Sequence, residues 1–229
     1  LNWILSPALV IYTLIIYAYA VSILIQGKMP EGMIANVAFP YLMFGIVLYT
    51  LQILLDNEKW QKFYRLLPWL NLLPLVMLWY AMSIRIQYYG LTQDRVYLLM
   101  GAVVLALWNF ILLVPKIRQY RLLAGVLLLA LLSNAFVIDA NQIAYEDQLA
   151  RFDNFVKTQQ LLDSNGKLTE EHIKQWTATR GNDAKLSDEF RNRTYAVLLR
   201  ADEQWVEEFK QHYGISKEKS LYEWLPESN

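Results

Sequence analysis

The chain has 229 residues, 55% of them hydrophobic and 14% aromatic, with a mean hydropathy of +0.20. Ordinary soluble domains carry about 45–50% apolar residues, and a formal net charge of +0 excludes a global field that would draw nucleic acid. With no cysteine, disulfides, thiolate catalysis and cysteine metal sites are excluded as well. Charge is sparse as far as Ile138 and dense from Asp139 onward. The pattern predicts an all-α chain in two parts: a polytopic membrane domain over 1–138 and a soluble helical tail over 139–229.

A helix that crosses a hydrocarbon core of about 30 Å needs roughly 20 mainly apolar residues. Ile4–Ile25 supplies them without a charge, and Met33–Leu55 does so again. Leu66–Ile84 is shorter and holds Pro68 and Pro74; Tyr97–Val114 and Leu122–Ile138 complete five predicted spans. Buried helices of a large soluble protein are the alternative, but such helices keep a polar face, and these runs have almost none. The first run has no basic segment before it, so it is not read as a signal peptide. Leu1 in place of an initiator methionine predicts more protein upstream.

Polar segments separate the runs. Gly27, Pro30 and Gly32 follow the first, Asp56–Arg65 the second and Pro115–Arg121 the fourth. Trp3, Trp60, Trp69, Tyr88, Tyr89, Tyr97 and Tyr120 stand near run ends, where their wet tips and apolar rings suit the membrane interface. Lys59, Lys62 and Arg65 share one membrane face with Lys116, Arg118 and Arg121; Lys28, Arg85 and Arg95 lie on the other. The basic bias places the first face in the cytoplasm. The loop after the third span and the C-terminal tail are therefore expected outside.

In the tail, Asn141–Gln160 sets Ile143, Leu149, Phe152, Phe155 and Val156 at helical spacing, and is expected to continue the fifth span as a stalk. Leu161–Thr169 reads as a turn around Asn165-Gly166, with Thr169 capping the next helix. Ser187 and Asp202 are cap candidates before Glu189–Arg200 and Glu203–Tyr213, and Gly214 is the expected terminator. Phe190, Tyr195, Leu198, Leu199, Trp205, Val206 and Phe209 are the predicted packing residues.

Few of the chemical signals survive inspection. In Asp163–Lys167 the glycine falls fourth from the aspartate, where an EF-hand requires it sixth, so calcium is not expected. His172 and His212 are far apart and form no zinc motif. The sequence contains no GxSxG elbow, phosphate loop or dinucleotide fingerprint, and neither a cofactor nor a metal is expected. The spans hold the amides Asn36, Gln52, Asn71, Asn109 and Asn134 but no ionisable side chain at membrane depth. Transport and proton-coupled chemistry use such charges, whereas amides serve to pack helices. Pro40, Pro68 and Pro74 are expected to bend their spans and free carbonyls, giving a cavity or simply a bent helix.

The loop at Ser83–Leu98, "SIRIQYYGLTQDRVYL", carries the candidate site. Arg85 ends the third span, Tyr88 and Tyr89 suit the headgroup layer, Gly90 permits a turn, and Thr92 precedes a helix opening with Asp94 and Arg95. One reading is a tethered reversal with interfacial anchors. The other is an anionic headgroup or ligand site in which Arg85 and Arg95 grip a phosphate or carboxylate and Asp94 orients one of them.

"RIQYYGLTQDRVY" at Arg85–Tyr97 resembles the signature of a family catalogued as domain of unknown function 4153. "WILSPALVIYTLIIYAY" at Trp3–Tyr19, "FYRLLPWLNLLPLVMLWYAMSIR" at Phe63–Arg85 and "LLDSNGKLT" in the tail are similar to the same family. The resemblance implies a multi-pass protein of the bacterial inner membrane with further spans upstream, and implies no catalytic or ligand residue. The expected role is a non-enzymatic envelope protein that engages membrane lipid, with an envelope partner reached through the C-terminal tail. The alternative is the substrate-binding part of a transporter or of a lipid-linked glycan enzyme whose other helices lie upstream. That enzyme would need a surface carboxylate, Asp94 or Glu31.

Overall fold

The computed structural model describes residues 3–27, 33–54, 58–114, 116, 119–180, 184–198 and 201–215. Among them are ten α-helices and no strand beyond an isolated bridge between Leu162 and Leu168. They form two compact units. One comprises Leu1–Tyr89 with Asp94–Ile138; the other comprises Gly90–Gln93 with Asp139–Asn229.

The first unit contains α1 (Leu5–Gln26), α2 (Met33–Leu54), α3 (Gln61–Leu70), α4 (Leu72–Tyr89), α5 (Gln93–Leu113) and α6 (Tyr120–Phe136). Leu5–Gln26, Ile34–Gln52, Gln61–Tyr89 and Gln93–Leu113 are long and apolar enough to cross a membrane. At 17 residues α6 is shorter, and it qualifies only when joined to the next helix. Four helices among the described residues, or five if that pair, bent by 66°, is one span, therefore meet the requirement for crossing. The protein is a polytopic helical membrane protein.

Within this unit Ser6, Thr13, Gln52, Asn71 and Asn109 are buried. Ser6 Oγ meets Tyr64 OH at 2.8 Å, Thr13 Oγ1 meets Tyr41 OH at 3.1 Å, and Tyr12 OH donates to the Val37 carbonyl at 2.9 Å. Such bonds join helices in lipid, where an unpaired polar group has no water to turn to. Gly101 lets α5 approach α2: a Cβ there would lie 2.7 Å from the Phe39 ring.

The third span is broken at Asn71, between α3 and α4. Pro74 has no N–H to give the carbonyl four residues back, at Leu70; the Tyr17 hydroxyl donates to it instead, at 3.1 Å. Asn109 Nδ2 donates to the Pro68 carbonyl at 3.1 Å, while its Oδ1 accepts from Asn71 Nδ2 at 3.2 Å. The third span is thus interrupted at Asn71, with the Leu70 carbonyl that Pro74 leaves free taken up by Tyr17 and the Pro68 carbonyl beside the break by Asn109. Asn71 and Asn109 act in packing, as expected of amides there; Gln52 is also buried, whereas Asn36 and Asn134 are exposed. Pro30, Glu31, Gly32, Asp56, Pro115 and Arg118 lie outside the described residues.

The second unit contains α7 (Ala140–Thr158), α8 (Glu170–Arg180), α9 (Ala184–Leu198) and α10 (Glu203–Tyr213). The expected stalk is interrupted. α6 stops at Phe136, and α7 starts afresh with the Asp139 carboxylate accepting from the N–H groups of Asn141 and Gln142. That cap satisfies donors a continuous helix would have satisfied itself. Phe152 is fully buried and packs its ring 5.8 Å from Phe190, 5.2 Å from Phe209 and 5.3 Å from Tyr213. Phe155 and Val156 join this core, as their spacing predicts, but Ile143 is exposed and Ala144 takes its place on the inner face. Tyr195 is likewise exposed rather than packed; Leu199 lies outside the described residues.

Helix ends in this unit follow the sequence, with one exception. Asp202 caps α10 through the Trp205 N–H, Gly214 ends it at φ +72°, and Thr169 Oγ1 accepts from the His172 N–H at 3.4 Å. Ser187 is not a cap, because α9 begins three residues earlier, at Ala184.

Candidate functional site

The six residues singled out in the loop fall into separate settings. Arg85, Tyr88 and Tyr89 form the last turn and a half of α4, and Asp94 and Arg95 the first turn of α5. An acidic side chain at that position favours the positive end of the helix dipole. Tyr88 is exposed, and the Arg95 guanidinium lies over the Tyr89 ring at 5.6 Å from its centre. This cation–π contact holds Arg95 beside the Tyr89 ring. Arg85 is half-buried and makes no ion pair among the described residues. Tyr89 and Arg95 are therefore brought together; no bond joins Arg85 to Asp94.

Thr92 belongs with the second unit, and so do Gly90 and Leu91. Gly90 turns at φ +73° and is buried. A Cβ there would meet Gln148 Nε2 at 2.5 Å, Asp147 Oδ2 at 2.6 Å and Arg151 Nε at 2.7 Å. Only glycine tolerates both the dihedral angle and that proximity. The next residue is gripped through its backbone: the Leu91 N–H donates to Asp147 Oδ2 at 2.7 Å, and its carbonyl accepts from Gln148 Nε2 at 2.8 Å. Arg151 Nε completes the clamp by donating to the same Asp147 oxygen at 2.9 Å. Thus the most distinctive stretch of the loop, Tyr89–Thr92, is partly a docking strap for α7.

Asp147, Gln148 and Arg151 escape a reading of the sequence. The i, i+4 spacing of Asp147 and Arg151 signals only an ordinary helical ion pair. A better signal is Gln148, which sits on the Ala144–Phe152 face among apolar neighbours. Buried polar groups are bonded, so its presence there demands a partner without saying which.

Thr92 lines a cavity of about 170 Å3 with Leu91, Tyr145, Gln148 and Tyr195. The Tyr145 ring stacks on Trp205 at 4.8 Å, and its hydroxyl donates to the Trp205 carbonyl at 3.3 Å. Burial pushes this phenol above its usual range, and the carboxylates of Glu208 and Asp202 push it further. It remains a proton donor at neutral pH.

The Asp163–Lys167 segment is a turn. The Asp163 carboxylate accepts from the N–H groups of Lys167 at 2.8 Å and Asn165 at 2.9 Å. The Lys167 ammonium donates to the Gln211 and His212 carbonyls at 3.0 and 2.6 Å, capping the end of α10. Both histidines are exposed, and among the described residues no cluster of histidine or carboxylate side chains could hold a metal.

Comparison with known proteins gives a family but no activity. The family model described as "Domain of unknown function (DUF4153)" matches residues 1–165. An uncharacterized protein of Pasteurella multocida (strain Pm70) is 34% identical over 168 residues, which are 73% of this chain and 29% of that relative. The chain therefore spans less than a third of the relative's length. No solved structure matches it.

Proposed function

The chain belongs to that family of unknown function, and on this premise we propose that it is a non-enzymatic protein of the bacterial inner membrane. In this reading the ends of α4 and α5 form a collar for anionic headgroups: Arg85 and Arg95 are the cations, Tyr88 and Tyr89 the aromatic shelf, and Asp94 the orienting carboxylate. Gly90–Thr92 strap the C-terminal unit, which faces the periplasm and engages an envelope partner. The observation that carries the proposal is the Arg95–Tyr89 contact at 5.6 Å. It sets a guanidinium at a helix end beside an aromatic side chain of the kind that favours the headgroup layer.

The test uses the full chain in nanodiscs with a photoreactive side chain replacing Tyr88. The expected result is a higher cross-linking yield with phosphatidylglycerol than with phosphatidylcholine, falling severalfold in Arg85→Ala and in Asp94→Asn. If both variants cross-link as the parent does, the loop is a strap and nothing more.

A further inference from the structure

The membrane unit also carries a basic patch that the collar does not use, at the opposite end of the third span. Gln61–Tyr89 is 29 residues long, and a helix of that length rises about 43 Å, against a hydrocarbon core of about 30 Å. Its uncharged stretch is bounded by Arg65 and Arg85. A helix rises about 30 Å between those two positions, so Arg65 stands in the headgroup layer of the leaflet opposite Arg85. Lys62 and Lys59 lie further out on the same side.

Two contacts hold this end of the span against the start of α1. Ser6 Oγ meets Tyr64 OH at 2.8 Å, and the Lys59 ammonium lies over the Trp3 ring at 4.7 Å from its centre. Tyr64, Leu67 and Pro68 form the buried face of α3, which fixes the opposite face outward. On that outer face Lys62, Arg65, Leu66 and Trp69 are exposed, and their i, i+3, i+4, i+7 spacing makes one stripe. Leu73 and Val76, also exposed, carry the stripe on into α4.

Three features of the stripe select its occupant. Its cations, Lys62 and Arg65, sit one turn apart at the headgroup end and form no ion pair among the described residues. Like charges at that spacing repel, and an anion between them relieves the repulsion. Trp69 is about 6 Å deeper than Arg65, at the level where tryptophan rings border the headgroups. Below it the stripe is bulky as well as apolar. Helix partners in membranes meet over glycine, alanine and serine, which let backbones approach; Leu66, Trp69, Leu73 and Val76 hold a second backbone off.

We propose that the outer face of α3 binds an anionic phospholipid, with its phosphate between Lys62 and Arg65 and an acyl chain along Leu66, Trp69 and Leu73. The two cations supply the preference, through charge-assisted bonds and the attraction of basic residues to acidic headgroups. The apolar part of the stripe suits any tail and supplies none.

A photoreactive side chain replacing Leu66 reads this face alone, in the full chain held in nanodiscs of phosphatidylcholine with a minor share of phosphatidylglycerol. Captured phosphatidylglycerol is expected to exceed its share of the bilayer by roughly tenfold, the scale of one bond to a charged group. Lys62→Gln and Arg65→Gln each lower the excess severalfold and together abolish it, whereas Lys62→Arg retains it. The same probe at Leu14, exposed on the uncharged α1, captures phosphatidylglycerol in proportion to its share. Circular dichroism verifies the helix content of every variant. Proportionate capture at Leu66 overturns the proposal, and so does an excess that survives the double variant. An excess removed by glycerophosphoglycerol, the headgroup without its chains, identifies a soluble phosphate ligand and overturns it too, as does capture of a protein in native membranes in place of lipid. Arg85→Ala leaves capture at Leu66 unaltered, so this site and the collar fail separately.

Discussion

In the membrane unit Ser6, Thr13, Asn71 and Asn109 are buried, while Leu24, Ile25 and Leu129 point outward, the first two 80% exposed. In the C-terminal unit the arrangement is reversed. Phe152, Phe190 and Phe209 are inside, and Lys157, Lys174 and Arg193 reach the surface in i, i+4 pairs with Asp153, Glu170 and Glu189. Both units are helical, and both bury aromatic rings. They differ in the medium that decides which side chains are left over. Apolar burial drives folding only where water is outside. In lipid, tails and leucine are equally apolar, so helices associate through tight packing and interhelical hydrogen bonds.

If this contrast holds, the largest effect comes from the aqueous unit's core. Phe152→Ala leaves a void among three rings and is expected to cost about 3–5 kcal/mol. Hydrogen exchange in the full chain should show it as lost protection over residues 140–215, with α1 to α5 unchanged. Loss of protection in the membrane helices too would mean that the units do not fold separately.

A smaller effect is expected from the membrane unit's polar joint. Asn109→Ala leaves the Pro68 carbonyl and the Asn71 amide without this partner. Interhelical hydrogen bonds in membranes contribute about 0.6–2 kcal/mol, which should appear as a lower denaturation midpoint in a detergent–denaturant titration. Asn109→Leu, which adds apolar surface, should fare no better. Were leucine to stabilise the unit, the joint would be governed by the rule that governs the aqueous core, and the contrast would fail.

The smallest effect is electrostatic and sharpens the picture of the C-terminal unit. The backbone N–H of Lys167, and after it that of Asn165, hold the Asp163 carboxyl below its ordinary value of 3.8. A group whose folded value is depressed stabilises the protein above its unfolded value, and that contribution fades as pH falls through the folded one. Above pH 3.8 the parent should therefore melt slightly higher than Asp163→Asn. On acidification below it the two should converge. A constant difference across that window would show that the turn does not depend on the carboxylate's charge.

Much of the fold can be read directly from the residues, because the bilayer imposes its requirement segment by segment. Twenty uncharged apolar residues announce a span wherever they occur, and Asp202 and Gly214 announce helix ends through bonds made within a few positions. The expected stalk failed for a related reason: Ile138-Asp139 holds a cap that competes with helical continuation, and composition alone does not rank the two. The candidate site was less legible. Tyr88, Tyr89, Asp94 and Arg95 stand out by type, yet nothing local indicates that Leu91 is held by Asp147 and Gln148, more than fifty residues away.

By itself, then, the sequence determined the medium, the helices and most of their ends, since hydrophobic length and capping depend on neighbours along the chain. Tertiary structure alone decided that Gly90–Gln93 joins the C-terminal unit, that Tyr17 caps the Leu70 carbonyl left by Pro74 while Asn109 caps that of Pro68, and that α5 and α6 leave a groove beside Gly125. Each of these rests on which distant backbone groups lack a partner and which side chains come within reach, and only the folded chain brings them together.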